Sequence, residues 1–410
     1  MPDALLPYLT ADLPGIGGAI RQNLEDFRVS ELPLYEASGA GDHVYFRIEK
    51  VGVPTPAAVD RIARYMGVRP GDIGLAGLKD AQAITTQMLS LEHADAARLA
   101  AYRDAQVRVV WVGRHGNKLR PGHLAGNRFD VRIRGVGEGQ LEAAREVLEV
   151  LKRRGVPNYF GPQRFGARGD TDKLGAALVR GDLREFLAIY LGRSSPADPP
   201  ECRGARDAFD AGFLPRAQQL WPWHYGSERR ALAAWKRTGK AGPAIAAIDK
   251  RMRRLYVSAF QSRIFNDVLT RRLGSLDELW EGDLAEKAEN GAVFAVVDAA
   301  AEQERCRRFE ISPTGPIVGY RGKLAEGRMG EIEREVLGAA GASAEDFRRV
   351  GALKVKGGRR ALRFALGGPD LTAGRDEAGE FVGLAFTAPS GCYATVVLRE
   401  IMKTDATLDA

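Results

Sequence analysis

Cysteine is scarce in this chain. Only Cys202, Cys306 and Cys392 occur among 410 residues. They are odd in number, far apart and without a Cys-x-x-Cys pair, which argues against a disulfide framework or a thiolate zinc site and favours a reducing compartment. Histidine is nearly as sparse. The five, at positions 43, 93, 115, 123 and 224, never fall at i, i+4 or beside a cysteine, so no metal site is expected. No apolar run approaches the roughly 18 residues that a membrane-spanning helix needs. The first residues, Met-Pro-Asp-Ala-Leu-Leu-Pro, lack a basic region followed by an apolar core and do not read as a secretory signal. No GxGxxG follows a strand pattern and no GxxxxGK[ST] is present, so nucleotide-cofactor and ATP-driven chemistry have no support. The expectation is a cytoplasmic protein with no cofactor.

What the chain has in abundance is positive charge. Its formal net charge is +7, and the excess is clustered. Gly113–Arg134 holds six Lys/Arg, Arg120 among them, against Asp130 alone. Arg229–Arg254 holds nine against Asp249, and Leu353–Arg363 five against none. Three solvated faces of a basic protein would look like this. A polyanionic partner fits better, because clustered cations gain most from counterion release. No Lys/Arg-rich amphipathic helix with an aromatic apolar face appears, which disfavours a membrane surface.

At 410 residues the chain has room for two domains. Residues 43–49 alternate as a half-buried strand. Thr55-Pro56 reads as the cap and first turn of a helix whose apolar stripe is Val59, Ile62, Ala63 and Met66, stopped by Gly67. Strands are expected at 84–91, 107–112 and 129–134, and a helix from about Gln140 to Arg154, stopped by Gly155. The character then changes: 175–275 is mostly helical with Arg-rich faces. Residues 292–298 and 361–366 look like strands, separated by turns such as Ser312-Pro313-Thr314-Gly315-Pro316, and the tail 381–400 returns to a strand pattern. No fixed-period repeat is present. The pattern suggests a mixed α/β domain interrupted by a large insertion.

Three dense motifs stand out. In 74–91 a Gly-punctuated turn delivers Asp80 ahead of an alternating segment. Taken alone, such an acid is a solvated surface charge. Gly155–Gly166, with Tyr159, Phe160, Phe165 and Arg164, reads as a packed interdomain corner or as a platform for unstacked bases, and both can hold. Asn127-Arg128-Phe129 reads locally as an Asx turn before a core phenylalanine, or as a uracil-edge contact with a stacking ring. Gly391-Cys392-Tyr393 lets a backbone approach closely, and no His or Asn is placed to activate Cys392. Trp221, Trp223, Tyr225 and Trp235 are read first as core.

Laid out in order, these residues resemble the TruD family of tRNA pseudouridine synthases over nearly the whole chain. The resemblance rests on Gly77-Leu78-Lys79-Asp80 with Thr85, Gln87 and Ser90, on Gly126-Asn127-Arg128-Phe129, and on Asn158 through Gly166. It rests also on Tyr393-Ala394-Thr395 ahead of Leu398-Arg399-Glu400, and on Asp26 through Glu31 preceded by Arg21. It implies an α/β (α+β) pseudouridine synthase fold around a central mixed, largely antiparallel sheet. A discontinuous catalytic domain, 1–155 with 365–410, would be interrupted by an inserted α/β domain, 156–364. It implies Asp80 as the catalytic residue, with Arg21, Phe27, Lys79, Asn127, Phe129 and Tyr393 at the substrate and Arg120, Tyr159 and Arg164 as further RNA contacts. Many relatives carry a basic residue directly after the aspartate; here Ala81 leaves Arg21 as its basic partner.

The implied reaction isomerises uridine 13 in the D arm of tRNA by one carboxylate, which attacks the nucleoside or takes the C2′ proton to give a glycal. No metal, cofactor or membrane is needed, and a monomer is expected. The reacting base must be unstacked, and Phe129 would replace its neighbour. The main alternative is a non-catalytic RNA-binding protein or RNA chaperone using the same basic and aromatic surfaces.

Overall fold

The computed structural model describes residues 6–404 and divides them into two compact units. One comprises Tyr8–Val156 and the chain from Phe364 onward, the other Pro157–Arg363 together with Leu6 and Pro7. The chain thus leaves the first unit once and returns to it once.

The first unit is built on one mixed sheet. Its early strands are β1 (Phe27–Pro33), β2 (His43–Val51), β3 (Gly74–Leu75), β4 (Ile84–Glu92), β5 (Val107–His115) and β6 (Leu124–Arg134). The hairpin strands Gly367–Asp376 and Gly379–Pro389 extend the sheet beyond β6. From the hairpin inward the order runs through β6, β1, β4 and β2 to β5, with β3 paired on β4. Only β1 and β4 run parallel, with Val29 opposite Thr85. Every other pairing is antiparallel.

Alternation sets the faces. In β2, Val44, Phe46 and Ile48 are fully buried and pack with α1 (Thr55–Met66) through Val59, Ile62 and Ala63. The helix ends on Gly67 at φ 75°, a left-handed conformation that glycine adopts without steric cost. Its cap is Pro54, not Thr55 as the sequence suggested, and the Thr55 hydroxyl is used elsewhere. A helix over Leu141–Arg154 buries Ala144, Val147, Leu148 and Leu151, and Gly155 ends it at φ 89°. A buried ion pair ties the start of β1 to the hairpin. Arg134 donates to Asp26 at 2.6 Å and to Asp376 at 2.8 Å.

The tail departs from the expected strand. After Pro389 the chain turns through Gly391 at φ 80° and forms a helix, Ala394–Met402. Ala394, Val397, Leu398 and Ile401 are its buried stripe, a helical spacing hidden within an apolar run that also suits a strand. Glu400 on this helix is buried and accepts from the Leu9 and Thr10 backbones at 2.8 and 3.1 Å.

The second unit is largely helical, centred on the long helix Lys250–Arg272. The helix Thr171–Arg180 approaches so closely that a Cβ on Gly175 would lie 2.0 Å from the Tyr256 carbonyl oxygen. A small antiparallel sheet completes the unit with strands Leu284–Lys287, Val293–Ala295, Ile311–Ile317 and Gly358–Ala361. The stretch Ser312–Pro316, expected as a turn, is therefore strand. It changes partner midway: Ser312 and Pro313 pair with Glu286 and Ala285, whereas Thr314–Ile317 pair with Gly358–Ala361. At the change of partner the Pro313 carbonyl accepts from the Leu362 N–H at 2.9 Å, so Pro313 enters the sheet as an acceptor without needing an N–H of its own. Trp221 is buried against Arg206, and Trp223 is exposed.

Candidate active site

Asp80 lies in the loop Ala76–Ala83, which joins two strands paired with each other, β3 and β4. The loop has no regular structure, yet side chains from three elements fix its backbone. Lys50, the penultimate residue of β2, donates from Nζ to the Asp80 carbonyl at 2.6 Å. The Lys79 backbone N–H donates to Thr55 Oγ1 at 3.0 Å. That hydroxyl donates in turn to Gln87 Oε1 at 2.8 Å, and Gln87 Nε2 reaches the Gly77 carbonyl at 3.5 Å. The ladder bond from Gly52 N–H to the Ala83 carbonyl, at 3.2 Å, closes the far side.

The charges are arranged unequally. Lys79 Nζ is buried between Glu31 Oε2 at 3.0 Å and Asn127 Oδ1 at 2.7 Å. Glu31 also accepts from the Met88 backbone N–H. Lys50 is fully buried; loss of hydration pushes its ammonium down to about 8, against an opposing pull from Asp80 and a further push from Lys79. Asp80 is different. Its carboxylate is 40% exposed, and Arg21 Nη2 stands 3.6 Å away on a side chain only 8% exposed. Arg21 has φ 58°, and its guanidinium lies over the Phe27 ring at 4.4 Å.

Behind this cluster runs a file of rings. Phe27 meets Phe129 edge-on at 6.3 Å, and Phe129 stacks on Phe386 at 5.2 Å. The residues expected at the site from sequence thus fall into two groups. Arg21, Lys79, Asp80 and Asn127 come together, with Phe27 under Arg21 and Phe129 next to Phe27. Phe129 is 6% exposed and Phe27 fully buried, so both rings back the site. Lys79 likewise points inward to Glu31. The large apolar side chain that does face solvent in this loop is Leu78, at 70% exposure.

Tyr393 is half-buried at the N-terminus of the Ala394–Met402 helix. The β6 register, with Pro389 opposite Gly126 and Ala388 opposite Asn127, sets its turn at the Asn127 end of the sheet. Arg120 is exposed between β5 and β6. Tyr159 and Arg164 belong to the second unit. Tyr159 is buried with its hydroxyl 3.3 Å from Thr270 Oγ1, a core position. Its neighbour Phe160 is clamped by Asn266, whose side chain accepts from the Phe160 N–H and donates to its carbonyl, each at 2.9 Å. Within the second unit Tyr159 and Phe160 are thus held by local packing, and Arg164 lines an open cavity.

Sequence reasoning missed Lys50, Glu31 and Thr55. Two of them carried a signal. Lys50 continues the buried parity of Val44, Phe46 and Ile48, and Glu31 that of Phe27 and Val29. A charged residue in a buried register demands a partner. Among the described residues, no group of three or more His, Cys, Asp or Glu could hold a metal ion, and no helix is long and apolar enough to cross a membrane.

Comparison with known proteins gives a consistent result. Residues 6–401 match the model of the family described as tRNA pseudouridine synthase D (TruD). A curated tRNA pseudouridine synthase D from Geobacter metallireducens is 44% identical over 397 residues, covering 97% of each chain. One from Anaeromyxobacter dehalogenans is 40% identical over 405 residues, covering 98% of each. Among solved structures, the putative tRNA pseudouridine synthase D of Methanosarcina mazei superposes with a TM-score of 0.85 at 30% identity, covering 98% of this chain and 97% of that one.

Proposed function

The chain belongs to the tRNA pseudouridine synthase D family, and on that premise we propose that it converts uridine 13 in the D arm of tRNA to pseudouridine with Asp80 as the catalytic carboxylate. Membership makes it an RNA-modifying isomerase, so the chaperone reading is set aside. The observation that carries the assignment is the asymmetry of the cluster. Glu31, Lys79 and Lys50 are buried and bonded to one another or to the loop backbone, and Asp80 alone offers a carboxylate to solvent.

The reaction breaks the N1–C1′ bond, turns the base, joins C5 to C1′ and moves a proton from C5, with one proton ending on N1. Atoms and electrons balance without a redox partner or a leaving fragment. Asp80 acts either by attack on the nucleoside or by removing the C2′ proton. Its backbone anchors hold the carboxylate at a fixed position, the kind of preorganisation that supplies several kcal/mol of a barrier. Arg21, stiffened by Phe27, sets a positive charge against it. Asn127, fixed through Lys79, and Tyr393 at the same end of the sheet are the remaining candidates for contact with uracil. On this reading the protein is a cytoplasmic monomer that takes tRNA and needs no cofactor.

Asp80→Asn is nearly isosteric and tests the role directly. With total tRNA from cells lacking the gene, it is expected to keep tRNA binding and to form no pseudouridine by carbodiimide primer-extension mapping. Appreciable product from the variant overturns the assignment; a primer-extension stop elsewhere than position 13 overturns only the position.

A further inference from the structure

Three sequence features remain unused by the site around Asp80: the basic run ending at Arg254, the basic run beginning at Leu353, and Arg164 of the aromatic motif. The fold of the second unit brings all three to one place. They line a cavity of about 650 Å³. Arg251 and Arg254 enter from the first two turns of the helix Lys250–Arg272, Lys354 and Lys356 from the loop before the strand Gly358–Ala361.

The charges there are uncompensated. Arg164 donates to the hydroxyls of Ser258 and Ser262, both neutral. Among the described residues, none forms an ion pair with Arg251, Arg254, Lys354 or Lys356. The acid of this stretch, Asp249, turns its carboxylate to the Arg251 backbone N–H as the helix cap. Five cations around one hollow repel each other, and the arrangement is stabilised by an anion that enters it. The loop is not slack, for the Lys356 carbonyl accepts from the Arg321 N–H at 3.0 Å. Met252 and Leu255 are about two-fifths exposed beside the cations, and Val355 joins them in the lining. Cations beside accessible apolar side chains suit a phosphate with an unstacked base attached, and the volume suits one nucleotide.

We propose that this cavity is a second RNA-binding site, which holds one unstacked nucleotide of the tRNA strand by its flanking phosphates. It shares no residue with the Asp80 cluster. The inference rests on tRNA being the substrate, and its test separates the two claims.

The full-length protein carrying Asp80→Asn is titrated with total tRNA from cells lacking the gene, by filter binding over a series of salt concentrations. Arg254→Ala and Lys356→Ala are each expected to raise Kd about 3- to 10-fold and to lower the slope of log Kd against log salt by about one. Leu255→Ser is expected to raise Kd with the slope unchanged. Arg145→Ala, on an exposed helix face, serves as the control. In the Asp80 enzyme the loss from the cavity variants is expected in KM rather than kcat. Cavity variants that match the control in both Kd and slope overturn the proposal, even if the enzyme forms pseudouridine. Loss of inorganic pyrophosphate binding with tRNA binding intact also overturns it, assigning the cavity to a free phosphate ligand. Absence of pseudouridine from the Asp80 enzyme, with tRNA binding still weakened by the cavity variants, overturns the function and leaves this site standing.

Discussion

Lys50→Met separates catalysis from stability at one buried atom. Methionine matches the length of the lysine stem, so the site stays filled, but the Asp80 carbonyl loses a donor at 2.6 Å. A hydrogen bond from a charged group contributes about 1.5–3 kcal/mol. If that energy fixes the Asp80 backbone in the transition state, kcat falls roughly 10- to 100-fold, since about 1.4 kcal/mol is tenfold. KM for tRNA is expected to change little. Folding responds in the opposite sense, because the variant no longer buries an ammonium group, so its Tm is expected to hold or rise. Burial pushes Lys50 down to about 8 from its ordinary 10.5. Between those pH values the unfolded chain binds more protons than the folded one, so this group's contribution to stability rises with pH across that window. Activity runs the other way: as Lys50 deprotonates near pH 8, the charged bond becomes a weaker neutral one and kcat declines. Single-turnover rates at saturating tRNA and thermal melts, both from pH 6 to 9.5, measure the two trends. A variant within twofold of the parent kcat at pH 7, or one that keeps the parent's alkaline limb, refutes the reasoning.

Thr55→Val keeps the shape of the helix start but removes the acceptor for the Lys79 N–H and the donor to Gln87. A kcat loss of about tenfold with the fold intact is expected, read by the same single-turnover assay with circular dichroism as control. Asp26→Ala leaves the buried Arg134 guanidinium with Asp376 as its remaining carboxylate partner, and about 3 kcal/mol of unfolding free energy should be lost in urea titration. A loss under 1 kcal/mol there would mean that solvent reaches Arg134.

Much of the sheet was legible because its strands alternate cleanly; β2, β4, β5 and the Leu141–Arg154 helix fall close to where periodicity put them. Asp80 was conspicuous through its loop, and Arg21 through the motif that follows it. The misreadings share a cause. Thr55 looked like a cap because Ser or Thr before Pro usually is one, and nothing local reveals that Gln87 and Lys79 claim its hydroxyl. Phe129 reads in sequence either as a core ring or as a stacking ring, since a phenylalanine beside a polar motif looks the same covered or open; its place opposite Phe386 comes only from the register of the two strands. Pro313 and Pro316 argued for a turn, and the change of strand partner there is a tertiary fact. The final helix was hidden because its apolar run satisfies two periods at once.

The pairing of β6 with the strand Gly379–Pro389 bears on biosynthesis. Arg134 cannot meet Phe381, nor Asn127 meet Ala388, until the ribosome has translated the whole of Pro157–Arg363 between them. Through that interval one edge of β6, the strand that carries Asn127 and Phe129, has no ladder partner, and an unpaired edge invites intermolecular pairing. Arg128, Asp130 and Arg132 place charges along that strand, the residue type that discourages such pairing. The sheet of the first unit is therefore completed only after the whole of Pro157–Arg363 has been made, and contacts of such long sequence separation slow that step.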